Sequence, residues 1–280
     1  MRVEARGKRF WRSIATNPYD FTLKVFSLPI LATGALCAFA WPAAAAQPAN
    51  SAFGIDTRFE TKGMATHLGP IGFVSHSNNG AYDKTVHVGS VNETAPIVAQ
   101  PVAPTIFINA SGINSEVKSS GIEVDSETTQ ASTSIDRTAL MLNLNPLPPG
   151  SVAVPQPYLQ VLGSGISSQA NFNTVFPSLT SATGSSSVRS LKITGSLVGT
   201  SPLTYSGSAP PNTVIYDSPT VTITLNKQIK EEVISCTVPG GCVTKVYAIT
   251  VDAVDISLNK ADVDGYKVSG DIVVGESQAQ

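Results

Sequence analysis

Charge is scarce in this chain: 14% of its 280 residues are Asp, Glu, Lys or Arg, against about 25% in an average globular protein. The formal net charge of −2 excludes nucleic-acid binding driven by bulk positive charge. Only one long apolar stretch exists, which excludes a polytopic membrane protein. Aromatics make up 7% of the residues, and His and Cys number three each. No G-x-S-x-G elbow is present, so nucleophilic hydrolysis has no motif to rest on. What is there in quantity is Ser, Thr, Asn, Gly and Pro, a composition suited to an extracellular β protein.

The first 46 residues read as an export signal. Arg2, Arg6, Lys8, Arg9, Arg12 and Lys24 face only Glu4 and Asp20. An apolar run from Val25 to Ala46 follows and closes in Ala43-Ala44-Ala45-Ala46 before Gln47. That is a small-residue cleavage site, and it predicts a cut between Ala46 and Gln47. The alternative is an uncleaved N-terminal anchor, since about 20 apolar residues span a bilayer. Cys37 follows Leu36, which does not suit a lipoprotein, and Lys8-Arg9 is not a twin-arginine pair. Cleavage removes 6 of 18 basic and 2 of 20 acidic residues, leaving 234 residues with a net charge of −6. Trp11, Trp41 and Cys37 leave with the signal, and no stable membrane span is expected afterwards.

The two cysteines that remain, Cys236 and Cys242, bracket Pro239-Gly240-Gly241. A Pro-Gly-Gly turn between alternating apolar runs predicts a hairpin. Facing positions near its tip are close enough for a disulfide in an oxidising compartment. A redox pair would more usually be C-x-x-C, and a zinc site would need further ligands.

Past Gln47 the chain alternates with period two nearly throughout. Leu140, Leu142 and Leu144 share a face, as do Leu191, Ile193 and Leu197, and Val221, Ile223 and Leu225. Ile249, Val251 and Ala253 alternate with Thr250 and Asp252, and then Val254, Ile256 and Leu258 take over. That flip predicts a β-bulge near Ala253-Val254. Shorter runs lie at 105–109, 113–118, 121–125 and 271–275. Four segments read as turns or loops: 146–150, Gly163-Ser164-Gly165, Gly184-Ser185-Ser186-Ser187 and Ala209-Pro210-Pro211-Asn212. The expectation is an all-β antiparallel sandwich behind a cleaved signal helix, with a β-solenoid as the alternative. No fixed-length repeat supports the solenoid. Residues 47–104 read as an N-terminal extension, partly β or loosely attached, with Asn92–Pro104 as linker. Residues 105–280 read as the main β domain.

The C-terminal half resembles the bacterial exported family called choice-of-anchor P. The carrying residues are Ala209–Ile215, Val221–Gln228 with its Asn226-Lys227-Gln228, Ala248–Leu258, and Gly270-Asp271-Ile272-Val273-Val274-Gly275. Upstream, Ser51-Ala52-Phe53-Gly54-Ile55 follows the signal as it does in such proteins. The resemblance implies an exported, surface-type β protein without an assigned activity, and no catalytic residues to carry over. The chain departs from the family's variable C-terminal sorting signals, ending Glu276-Ser277-Gln278-Ala279-Gln280.

Candidate sites are few. His67, His76 and His87 lack the i, i+4 spacing of a helical zinc site. Asp262, Asp264 and Asp271 recur as in part of a calcium loop, but Lys260 and Val268 occupy two of its ligand positions. A polar hairpin turn is the preferred reading, with Ca2+ the one cofactor considered. The first functional expectation is a secreted or cell-surface structural or adhesive protein, acting through a broad Ser/Thr/Asn face. The second is a module binding a glycan or an envelope component, with exposed tyrosines such as Tyr158, Tyr205 or Tyr216. The third is a hydrolase with a cryptic carboxylate pair. Expected partners are envelope components, glycans or copies of the same chain.

Overall fold

A computed structural model describes residues 50–76, 80–98, 100, 103–121, 126–145, 157–175, 179–237 and 241–280. The signal segment, the Ala46–Gln47 cleavage point, residues 122–125 and the 146–150 loop lie outside them.

Among the described residues thirteen strands form two antiparallel sheets. The first sheet contains β1 (Asn50–Thr61), β2 (Met64–Ile71), β3 (Val74–His76), β10 (Thr213–Asp217), β11 (Val221–Thr237), β12 (Gly241–Val263) and β13 (Tyr266–Ala279). Its order is β10-β11-β12-β13-β1-β2, with β3 also paired to β1. The second is a meander in chain order: β4 (Tyr82–Pro96), β5 (Ala103–Ser119), β6 (Ser126–Asn145), β7 (Leu159–Val175), β8 (Leu179–Thr194) and β9 (Leu203–Ser208). β8 lies against β11 and β12, β7 against β12 and β13, and β5 and β6 against β1. Strands stacked in this order form an aligned sandwich. The all-β sandwich expected from the alternation is what forms.

Each sheet carries one line at which the inward phase inverts in every strand it crosses. In the first sheet, Leu225, Val254, Val274 and Ile55 form one registered row of the core. The next residues across the line are Asn226, Ala253, Gly275 and Gly54, with Asn226 at φ 49° and Gly275 at φ 71°. Beyond them Gln228, Val251, Ser277 and Ala52 point inward. In the second sheet, Ala110, Thr138, Gly163 and Leu191 form one row and Ile113, Ile135, Ile166 and Val188 the row after the inversion. Gly112, at φ 64°, and Gly165, at φ 54°, sit between them. An extra residue in one strand would break its ladder. Inserted at the same row in all strands, it leaves pairing intact while the same side stays buried.

The inversion line divides the interior. On one side lies a large apolar cluster that includes Ile106, Leu140, Val161, Ile193, Ile223, Ile256 and Ile272, each 0–1% exposed. Burying each such side chain stabilises the fold by about 1.5–3 kcal/mol. On the other side small and hydroxylic residues let the sheets approach. Ser168 and Ser277 hydroxyls pair at 2.7 Å, and Thr133 Oγ1 donates to the Glu276 carbonyl at 3.0 Å. Gln228 Nε2 donates to the Gly184 carbonyl at 2.8 Å.

Several expectations are corrected. The flip at Ala253-Val254 is real, but it is not a local bulge: β12 keeps continuous register with β13 through it, and its register shifts fall at 231/232 against β11 and 258/261 against β13. Gly163-Ser164-Gly165 is mid-strand, at the inversion line. Gly184–Ser187 is also mid-strand; a Cβ on Gly184 would lie 2.4 Å from Val251 Cγ2, so glycine there serves close sheet approach. Leu197 sits in a short 3-10 turn, Ser196–Val198, instead of continuing its strand. The 104/105 boundary separates no bodies among the described residues: β1 is an interior strand between β13 and β2, and β4 pairs along β5. β1 supplies the partner on the second edge of β13. Ala209–Asn212 forms the expected turn.

Candidate functional site

The outward face of the second sheet is built from the residues that alternate with its core. Past the inversion line, Asn114, Ser134, Ser167, Ser187 and Ser208 form one registered row across β5 to β9. Glu116, Ser132, Gln169 and Ser185 form the next, and Lys118, Gln130, Asn171 and Thr183 the one after. The first two rows line a trough of about 580 Å³. Its groups engage one another: Ser167 and Ser187 hydroxyls lie 2.8 Å apart, and His87 Nδ1 is 2.6 Å from Asn114 Oδ1. The Glu116 carboxylate is held at 2.7 Å by Lys118. The trough thus presents neutral donors and acceptors, and its one acid is already paired.

The first sheet's outward face is acidic instead. Asp252 and Glu276 are cross-strand neighbours, and Asp56 and Asp255 lie on the other side of the inversion line. All four are buried. Asp255 is bound by Lys227 at 3.0 Å, and Asp56 by Arg58 at 2.8 Å and by His67 at 2.6 Å. Asp252 and Glu276 hydrogen-bond to each other, leaving Asp252 Oδ1 and Glu276 Oε1 without a partner among the described residues. Burial first, then the neighbouring Asp255, pushes Asp252 up to about 7. Burial and Asp252 push Glu276 up to about 8. One proton is therefore shared between them near neutrality. Neither residue lines the trough.

Comparison with protein-family models, curated proteins and solved structures finds no match for this chain.

The residues singled out from the sequence are dispersed. His67 sits on β2 against Asp56, His76 on β3 packs against Tyr82 with ring centroids 4.0 Å apart, and His87 is on β4 of the other sheet. Asp262 Oδ2 is bound by Lys267 at 2.7 Å, and its Oδ1 accepts the Gly265 N–H at 2.8 Å. Asp264 follows in that turn with φ 53°. Asp271 lies further along β13, opposite Ser257. Among the described residues no three His, Cys, Asp or Glu are grouped to hold a metal ion. Cys236 stands opposite Cys242 in the β11–β12 register, so the expected hairpin forms. Tyr158, Tyr205 and Tyr216 are half-buried against the main core instead of exposed. Among the described residues no helix is long and apolar enough to cross a membrane.

The sequence suggests a broad Ser/Thr/Asn face but does not place its residues, and it does not show the acidic pair. Ser164 and the serines of 185–187 read as turn residues because local composition carries no register. Asp252 was legible as facing away from Val251, but its partner lies 24 positions on and is chosen by strand pairing.

Proposed function

We propose that this chain is an exported, cell-surface structural or adhesive β protein, and that its contact surface is the outward face of the second sheet. The observation that carries this reading is the registered array of neutral Ser, Thr, Asn and Gln side chains across β5 to β8. Such an array offers many weak hydrogen bonds over a broad area and no single reactive group. The leader-like residues 1–46, the composition and the resemblance to choice-of-anchor P proteins support export. The family likeness and the half-buried tyrosines favour a broad contact over an aromatic sugar platform. The buried pair Asp252–Glu276 does not favour hydrolysis, because glycosidic carboxyls stand about 5 Å or more apart with sugar or water between them.

The test combines processing with adhesion. The protein recovered from the surface fraction of its host should begin at Gln47. Replacing Ser134, Ser167 and Ser187 together by Glu should remove most of its retention on envelope material without changing its thermal midpoint by more than a few degrees. Cytosolic recovery of the full-length chain, or unchanged retention of the triple variant, overturns the reading.

A further inference from the structure

On the other side of the inversion line the second sheet's outward face changes character. Its rows are Ser111-Arg137-Ser164-Ser190, Asn109-Ala139-Leu162-Lys192 and Phe107-Met141-Gln160-Thr194. None of these residues is acidic. Between β6, β7 and β8 they enclose a depression of about 480 Å³ lined by Arg137, Lys192, Ser164, Ser190 and Leu162, with Asn109 at its margin. No ion pair holds Arg137 or Lys192 among the described residues, although Arg58, Lys118, Lys227 and Lys267 are all paired. The nearest acid in the register, Asp136, leans the other way, over Gly112 on β5, where its carboxylate occupies the space a Cβ would need.

Thr138 and Gly163 also line the depression but belong to the inward row with Ala110 and Leu191, so the groups it presents outward are the two cations with Ser164, Ser190, Asn109 and Leu162. Arg137 and Lys192 stand on strands two apart, roughly 10 Å across the sheet. In a chain of net negative charge, that is a local concentration of unneutralised positive charge.

We propose that this depression is the anion-binding subsite of the adhesive face and that it takes the acidic group of a polysaccharide. Arg137 and Lys192 clamp the anion, and the Ser164 and Ser190 hydroxyls with the Asn109 amide bind adjoining sugar hydroxyls. The exposed side chain of Leu162, 38% accessible, packs against the C–H face of a sugar ring. The neutral trough lies on the same face across the inversion line and extends the surface for further sugar units. The alternative polyanion, single-stranded nucleic acid, wants aromatic platforms for its bases and a continuous basic track, and this face has neither. The inference rests on the adhesive reading above and adds the ligand class.

Binding of the full chain to polygalacturonate, to dextran sulfate and to neutral dextran is measured by calorimetry or biolayer interferometry at two salt concentrations. The expected result is binding to at least one charged polymer, weakened by salt, with neutral dextran at least tenfold weaker. R137A/K192A should lose tenfold or more. K230A, which removes an exposed cation on the other sheet that has no ion pair among the described residues, should change affinity less than twofold. No charged-polymer binding, equal loss in K230A, or tighter binding of single-stranded DNA through the same two residues overturns the inference. The S134E/S167E/S187E variant separates the two readings. Loss of retention with no polymer binding by the parent protein defeats only the subsite. Polymer binding with unchanged retention in that variant defeats only the adhesive face.

Discussion

The two halves of the sandwich, on either side of the inversion line, are built on the same strands but held together differently. In one, Ile, Leu and Val from both sheets interlock into a single apolar cluster. In the other, Ala170, Ala131, Gly184, Ser168 and Ser277 keep the interior thin, and hydroxyls bond from sheet to sheet. The first half gains from area removed from water and tolerates modest changes of shape. The second depends on close approach and on satisfied polar groups, so it is sensitive to added volume. The second sheet's outward surface divides at the same line, cationic over the apolar half and neutral over most of the thin one. Strand pairing therefore carries one continuous scaffold through two chemical environments.

The largest expected effect strikes the apolar half. Ile106, 0% exposed, replaced by Ala should cost about 2–5 kcal/mol in denaturant unfolding, from lost transfer energy and the cavity left behind. A cost under 1 kcal/mol would show that this half is not the principal source of stability.

The thin half should respond to addition instead of removal. Gly184→Ala brings a Cβ to 2.4 Å from Val251 Cγ2 and 3.1 Å from Gln228 Cδ, so it should destabilise by about 1–3 kcal/mol. Gly89→Ala, at a position with nothing within 4 Å, should be neutral or stabilising by about 0.5 kcal/mol. Equal effects of the two substitutions would erase the proposed difference in sheet spacing.

The β11–β12 hairpin extends the thin half beyond β13, because Ile249 is the last β12 residue with a β13 partner. With Cys236 opposite Cys242, we expect a disulfide, read as a loss of two hydrogens in the intact mass. Reducing it should lower stability by about 2 kcal/mol in the chain-entropy model. Hydrogen exchange should place the loss mainly in residues 232–246, not in the core rows.

The smallest effect concerns pH and the row next to the line. Unfolded carboxyls titrate at about 4, whereas Asp252 and Glu276 are raised to about 7 and about 8. The folded state therefore binds more protons between those values. Their contribution is fully present below about pH 4 and is lost as pH rises through 7 and 8. Thermal midpoints should fall from pH 5 to pH 9. Glu276→Gln, which cannot ionise, should flatten that slope and add about 1 kcal/mol at pH 8–9. An unchanged slope would show that other groups set it.

Much of the fold was legible from local alternation. Val221, Ile223 and Leu225 face inward as their spacing requires, and so do Leu140 and Leu142. Even the inversion at Ala253-Val254 was written in the apolar pattern. Its meaning was not, because one strand cannot show that Asn226, Gly275 and Gly54 make the same change at the same row. Gly163–Gly165 and Gly184–Ser187 looked like punctuation because glycine and serine favour turns when no neighbour is known. In the folded sheet the same residues admit a second backbone at short range. The trough is hidden for the same reason. Each serine in it is ordinary alone, and only register lines Ser134, Ser167 and Ser187 into a surface.

The amino-acid order by itself determined that this chain is made of strands, which side chains point to a common side, and that Cys236 and Cys242 belong to one hairpin. These are properties of neighbours along the backbone, where the two-residue period of a strand acts directly. Tertiary structure decided the rest: β1 placed between β13 and β2, an inversion line shared by whole sheets, Asp252 set beside Glu276, and two cations with no ion pair among the described residues gathered over β6 to β8. Those depend on which strands lie side by side, and pairing between distant segments is settled by the total burial and hydrogen bonding of the whole assembly, which no short stretch of sequence contains.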